Sequence, residues 1–298
     1  MSNGKIPFRK QMNFEYGIAD QVTPLVRRII APNPSGFTFH GTNTYIIGHG
    51  RVAIIDPGPL LDEHVEAIVK ELADETIEHI VVTHTHNDHS PAAAPLRDRV
   101  GGVVWGAHPR PIKEGVRTVE SIQRDFAPDR ELADGTLVEG DGFTLEAVHT
   151  PGHMSNHMCF ALPEENILFS GDHIMSWNTT VVSPPDGNMG EYFDSLEVCL
   201  KRQETVFWPA HGPEIPDPKP FTRAYANHRH MREGEILRCL DNGLHTIPEI
   251  VQRLYKHLPE KMHGAASRSV LAHLEHLVET GRVASEGLPT ETTRYVVC

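Results

Sequence analysis

Thr83-His84-Thr85-His86-Asn87-Asp88-His89 directly follows the apolar run Ile80-Val81-Val82. That run reads as a buried strand, so the heptapeptide sits on a loop at a strand's C-terminal end. Its pattern, His-x-His-x-Asp-His, places four candidate metal ligands within six residues. His84 and His86 alternate and can point one way, while Asp88 and His89 turn toward a second point. Such a loop can feed two metal ions a few ångströms apart. Neutral imidazole and carboxylate suit zinc, and manganese and iron also fit the set. Four such residues at this spacing make an unusual surface turn. Histidine is also plentiful over the whole chain, 20 of 298 residues, which makes metal binding the first reading to test.

Further ligands should come from distant strand ends. His153 follows Val148 in His149-Thr150-Pro151-Gly152-His153, Asp172 closes Phe169-Ser170-Gly171-Asp172, and His211 lies in Trp208-Pro209-Ala210-His211-Gly212. Taken singly, each reads equally well as a structural residue. Other apolar runs, at 45–47, 51–55, 102–105, 143–148, 157–162 and 166–169, read as strands. Helical spacing covers 61–73 and 192–203, so the expected class is α/β. Pro209, Pro213, Pro216, Pro218 and Pro220 predict a rigid linker over 209–220 with no helix. Beyond it, helices are expected over 221–240, from Thr246 to His257 and over 265–280, followed by a hairpin of 282–284 with 294–297. Three helices and a hairpin is winged-helix order, which predicts two domains, 1–220 and 221–298.

These motifs, in this order, resemble the metallo-β-lactamase superfamily of binuclear hydrolases. Ile54-Ile55-Asp56-Pro57-Gly58 matches its first motif, and the resemblance covers roughly 25–215. It implies a four-layer αββα sandwich followed by the small winged-helix-like α+β domain. It also implies that His84, His86 and His153 hold one divalent ion and Asp88, His89 and His211 a second. Asp172 would bridge them, and Asp56 would fix the ligand loop without touching metal. A hydroxide between the metals would attack an ester, thioester, amide or phosphodiester, with Asp88 orienting it and taking its proton. Gly41-Thr42-Asn43-Thr44-Tyr45, the stretch Pro151 to Met158, and Asn227-His228-Arg229 resemble the β-lactamase-like protein 2 subgroup more narrowly. A member of that subgroup is a metal-dependent endoribonuclease on single-stranded RNA. Fold analogy does not fix the substrate, so a thioester or ester hydrolase of glyoxalase II type stands beside the nuclease. A winged-helix DNA-binding regulator with a sensory metal domain is the reading from a different class.

Composition narrows these choices. With 40 acidic and 27 basic residues, net −13, the chain is a poor general polyanion binder. The acidic excess lies before residue 222. No apolar run is long enough for a membrane-spanning helix. Cys159, Cys199, Cys239 and Cys298 form no Cys-x-x-Cys pair and read as thiols of a reducing compartment. Met1 to Asp20 has no apolar core of a signal peptide, so a cytoplasmic location is expected. Several residues keep two readings. His157 is a proton donor at the site mouth or a structural strand histidine. His173 should point away from the site. Asn43 and Thr44 line the pocket or cap a turn, Trp177 lines the channel or packs, and Ser183 to Gly187 form a rim. Arg229 and Arg232 meet an anionic substrate or solvent. The helix over 265–280 carries Arg268 beside Glu275 and Glu279, poor for a recognition helix. Packing against the hydrolase domain, narrowing its cleft and offering a homodimer surface, is the favoured role for this tail.

Overall fold

A computed structural model describes residues 6–111 and 121–298. Met1 to Lys5, part of the segment read above against a signal peptide, lie outside them. Seven strands lie side by side in chain order: β1 (Asp20–Thr23), β2 (Val26–Ile30), β3 (Asn43–Ile47), β4 (Arg51–Ile55), β5 (Thr76–Val81), β6 (Val103–Gly106) and β7 (Arg130–Glu131). Pairing is antiparallel from β1 to β4 and parallel from β4 to β7. The parallel strands need crossovers. Helices α1 (Asp62–Glu71) and α2 (Ala93–Val100) supply two of them.

The second sheet holds β8 (Leu137–Gly140), β9 (Phe143–His149), β10 (Met158–Leu162), β11 (Ile167–Gly171), β12 (Val206–Pro209) and β13 (Ile215–Pro216). Its order is β13-β12-β11-β10-β9-β8. Only β11 and β12 are parallel, joined through α3 (Met189–Lys201). The C-terminal part comprises α4 (Pro218–Asp241), α5 (Ile247–Leu254), α6 (His263–Glu279) and the hairpin β14 (Val283–Ser285) with β15 (Tyr295–Val297).

Side chains alternate faces along a strand, and that alternation builds the layers. Ala53 and Ile55 of β4 meet Phe160, Phe169 and Trp208 between the two sheets. Val52 and Ile54 face outward onto Val65 and Ile68 of α1 and Leu96 of α2. Cys159 and Ala161 of β10 face the other way, onto Tyr192 and Leu196 of α3 and Phe221 and Tyr225 of α4. The result is the expected αββα sandwich with a C-terminal winged-helix unit. α4 belongs to both parts: its first half packs on the second sheet, while Ile236, Cys239 and Leu240 enter the C-terminal core.

The expectation of no helix across 209–220 is wrong at its end. α4 begins at Pro218 and takes in Pro220. The first turn has N–H groups without intrahelical partners, so proline costs nothing there. Pro209 closes β12, and Pro216 sits in the edge strand β13, where strands tolerate proline. Among the described residues no helix is long and apolar enough to cross a membrane.

Phe160 is fully buried between the sheets. Phe160→Ala should cost about 3–5 kcal/mol in urea unfolding. A cost under about 1 kcal/mol would contradict close packing at this layer.

Candidate metal centre

The candidate ligands gather beyond the C-terminal ends of β4, β5, β9, β11 and β12. Asp56, directly after β4, adopts a left-handed backbone, φ 50°. Its side chain is buried and accepts three hydrogen bonds. Oδ1 takes the Thr83 N–H at 2.7 Å, and Oδ2 takes the Thr83 hydroxyl at 2.7 Å and the His89 Nδ1–H at 2.8 Å. Having donated its proton to Asp56, the Thr83 hydroxyl accepts from His84 Nδ1 at 3.0 Å. The same logic holds at distant ligands. His153 Nδ1 donates to Val181 O at 2.6 Å, and His211 Nδ1 to Gly41 O at 3.1 Å. Each of these four imidazoles therefore spends its Nδ1 proton outward and turns Nε2 inward.

Those inward atoms form two groups. His84 Nε2 and His153 Nε2 lie 2.9 and 3.0 Å from His86 Nδ1. Asp88 Oδ2 lies 3.5 Å from His89 Nε2 and 3.2 Å from His211 Nε2. Asp172 stands between the groups: Oδ2 is 3.7 Å from both His89 Nε2 and His153 Nε2, and Oδ1 is 3.4 Å from His211 Nε2. Within each triad the ligand atoms lie within 4.8 Å of one another. His89 Nε2, His211 Nε2 and Asp172 Oδ1 are buried without a hydrogen-bond partner. Buried polar atoms left this way are costly, and shared cations, taking the place of ring protons on His89 and His211, would satisfy them. The residues thus fit a pair of divalent ions, and the mixed imidazole and carboxylate donors suit zinc, manganese or iron.

The electrostatics of the two groups differ. Burial, aided by neighbouring imidazoles, holds His84 well below its usual pKa and His86 at about 3; burial also lowers His153. Burial opposes charge on His89 and His211 as well, but there facing carboxylates outweigh it. Asp88, Asp56 and Asp172 lift His89 well above its usual value, and Asp172 and Asp88 carry His211 up to about 10. Burial would raise Asp88 and Asp172, yet the opposing His89 and His211 hold both well below the carboxylate range.

His157, which the sequence reads as either a donor at the site mouth or a structural strand histidine, is fully buried. Its Nε2 accepts the Asp172 backbone N–H at 3.0 Å, and its Nδ1 meets the Thr150 hydroxyl at 2.9 Å. With both ring nitrogens engaged, it has no proton to offer substrate. It holds the backbone that carries Asp172. Gly171 leaves room for this ring: at φ 51°, a Cβ there would lie 2.5 Å from His157 Nε2. His173 turns away from the cluster onto the Tyr192 ring. Asn43 does not line the pocket; it donates to the carbonyls of Pro209 and Gly212, at 2.9 Å each, on either side of His211. Thr44 donates to the Asp56 carbonyl at 2.7 Å. In the rim, Asp186 accepts from Ser155. Sequence reading misses Thr83, although its position between strand and His84 marks it.

A cavity of about 230 Å³ opens onto His153 and Asp172. Trp177, stacked on Phe39 at 4.9 Å, forms one wall, and Tyr255, Leu258 and Met262 of the C-terminal unit form another. Arg229 and Arg232 also line it. A larger groove of about 1340 Å³, beside Lys10 and Trp208, includes none of the cluster residues.

The carboxylates around His89 and His211 favour the protonated rings, and a divalent ion would compete with those protons for Nε2. Calorimetry of zinc binding at pH 8 in buffers of different ionisation enthalpy should read net proton release, from His211 and from water that a bound ion would acidify. Release of none would contradict the charge states described here.

Comparison with known proteins agrees with this geometry. Residues 37–211 match the metallo-beta-lactamase superfamily model, and residues 246–291 match the beta-lactamase associated winged helix domain. The lactamase-like protein adaB of Aspergillus niger is 30% identical, over 93% of this chain and 88% of its own. An atrochrysone carboxyl ACP thioesterase of Aspergillus chevalieri is 33% identical, over 80% and 76%. The beta-lactamase-like protein 2 homolog of Caenorhabditis elegans is 32% identical, over 91% and 90%. A metallo-beta-lactamase family protein from Thermus thermophilus shares the fold at TM-score 0.75 and 22% identity, over 93% of this chain and 100% of its own. The superfamily generally binds two divalent metals, and by its matched domains and its relatives this chain belongs to the metallo-beta-lactamase superfamily of hydrolases, with a C-terminal winged-helix domain.

Proposed function

We propose that this hydrolase cleaves small acyl thioesters. One observation carries the reading: the cavity that opens onto His153 and Asp172 has an apolar part, walled by Trp177, Met175, Tyr255, Leu258 and Met262, beside a cationic part that holds Arg229 and Arg232. Such walls suit an acyl chain. A single-stranded RNA track would need a run of free surface cations along a groove, whereas Arg229 is buried and Arg232 is paired with Glu235 at 2.8 Å. Arg268, the strong cation of α6, is spent on Glu291 at 2.7 Å and the Pro184 carbonyl at 3.2 Å, which also argues against the DNA-binding regulator. The relative named as an ACP thioesterase supports the same choice.

In this reading His84, His86 and His153 hold one ion, Asp88, His89 and His211 the other, and Asp172 both. When bound, such ions supply a nucleophilic hydroxide at neutral pH and polarise the reacting carbonyl. Asp88, more exposed than the other six cluster residues, takes the proton of the attacking water. His157 keeps Asp172 in place from behind. The apolar walls exclude bulk water around the acyl group. A thiolate leaves readily because its conjugate acid has a pKa near ~8.5, so no proton donor is required. That suits a site in which His157 is buried with both ring nitrogens engaged. Two units, 1–220 and 221–298, divide the work: the first carries the ligands and the second closes the cleft, with α4 shared.

The test is turnover of a short acyl-pantetheine thioester beside a fluorescent single-stranded RNA, with zinc-loaded protein. Thioester cleavage should fall on the order of 100-fold or more in Asp172→Ala, with the RNA untouched. RNA cleavage lost in the same variant, with the thioester untouched, would replace this reading with the nuclease.

A further inference from the structure

We propose that the cleft recognises a carboxylate on the acyl half of its substrate through Arg229, so that ω-carboxyacyl thioesters are preferred over neutral ones. The proposal rests on the thioester reading of the same cleft. Arg229 lies on α4 and is 4% exposed. It lines the cavity together with His153 and Asp172. Its guanidinium donates to the Thr180 carbonyl and lies over the Tyr192 ring, 5.3 Å from the centroid. Its Nε has no hydrogen-bond partner, and among the described residues no carboxylate comes within 4.0 Å of it. Among the described residues the other buried arginines are paired with acids: Arg27 with Glu71 and Glu75, Arg28 with Asp20.

A buried cation without a counterion is costly, and costly arrangements persist where a ligand completes them. The buried carboxylate nearest in sequence, Glu233 one turn along α4, is taken by His276 at 2.7 Å and Arg282 at 3.2 Å. His228 and Arg232 share its helix, and His273 faces it from α6. Arg232 is already occupied, with Glu235 at 2.8 Å and the Tyr255 ring at 4.6 Å. His228 lines the same cavity, and its Nδ1 is buried without a partner. Burial, then Arg229 and Arg232, push His228 down to about 4, so it sits neutral in a positive field. A carboxylate matches a guanidinium in shape and charge. The acyl half is the better source of that anion. A carrier's phosphate lies a whole pantetheine arm from the sulfur, whereas Arg229 lines the same cavity as the ligand residues His153 and Asp172. Hydrolysis itself is unchanged: water adds its oxygen to the acyl carbon, the C–S bond breaks, and the thiol and carboxylic acid leave with water's two hydrogens.

Glutaryl-pantetheine and pentanoyl-pantetheine are matched in chain length and carry no phosphate. With zinc-loaded wild type, the first should be favoured by about tenfold or more in kcat/KM. Glutarate should bind more tightly than pentanoate in calorimetry by a similar factor. Both ratios should fall toward one in Arg229→Gln; if that variant does not fold, the two wild-type ratios decide alone. Equal cleavage and equal binding would overturn the anion site while leaving thioester hydrolysis standing. No cleavage of either thioester, with glutarate still favoured, would keep the site and refute the thioester reading. Pentanoyl-CoA outpacing pentanoyl-pantetheine, with no gain from the glutaryl group, would put the anion on the thiol half and overturn the assignment.

Discussion

Asp56 accepts three hydrogen bonds with one carboxylate, and the geometry of the candidate centre depends on it. Through His89 it acts directly on one ligand group. Through the Thr83 hydroxyl it acts at one remove on His84, in the other group. Both imidazoles thereby keep their Nδ1 proton outward and present Nε2 to the metal position. A carboxylate can do this because it accepts only; no neutral amide or hydroxyl at position 56 offers the same capacity. The left-handed turn at Asp56 lets its side chain reach back across the β4 and β5 ends.

The rest of the fold serves that arrangement. Parallel pairing of β4 with β5 brings Asp56 and the 83–89 loop to one edge, and parallel β11 and β12 do the same for Asp172 and His211. The apolar layer between the sheets brings the two edges together. Asn43, hydrogen-bonded on both sides of His211, and His157, beneath Asp172, lock the second sheet's contribution. α4 then carries the C-terminal unit over the opening, so one helix links the sheet beneath the ligands to the wall that shapes the cleft.

Much of this is legible in the sequence because the signals are local. The ligand loop is contiguous, and the strands are short apolar runs bounded by turns. The C-terminal helices follow ordinary stop signals such as Asn242-Gly243. The misreadings have tertiary causes. The prolines at 218 and 220 look like breakers in sequence and are harmless in a helix's first turn. α2 escapes a sequence reading because only Ala93 and Leu96 of its length are buried, too thin a stripe to show a period. β2 escapes it because Arg27 and Arg28 interrupt its apolar residues; both are nevertheless buried, each against an acid distant in sequence or across the hairpin. Spacing does not place His157 and Arg229, since what distinguishes them is burial, and burial is a property of the assembled layers.

The most direct test of this account is zinc affinity in Asp56→Asn, measured by chelator competition, with folding checked by circular dichroism. An asparagine there offers one accepting oxygen in place of two, so the tautomers of His84 and His89 are no longer both held. The account predicts affinity weaker by about 10–100-fold in a folded protein. Unchanged affinity would contradict it, and would mean that the ligands hold their orientation without Asp56.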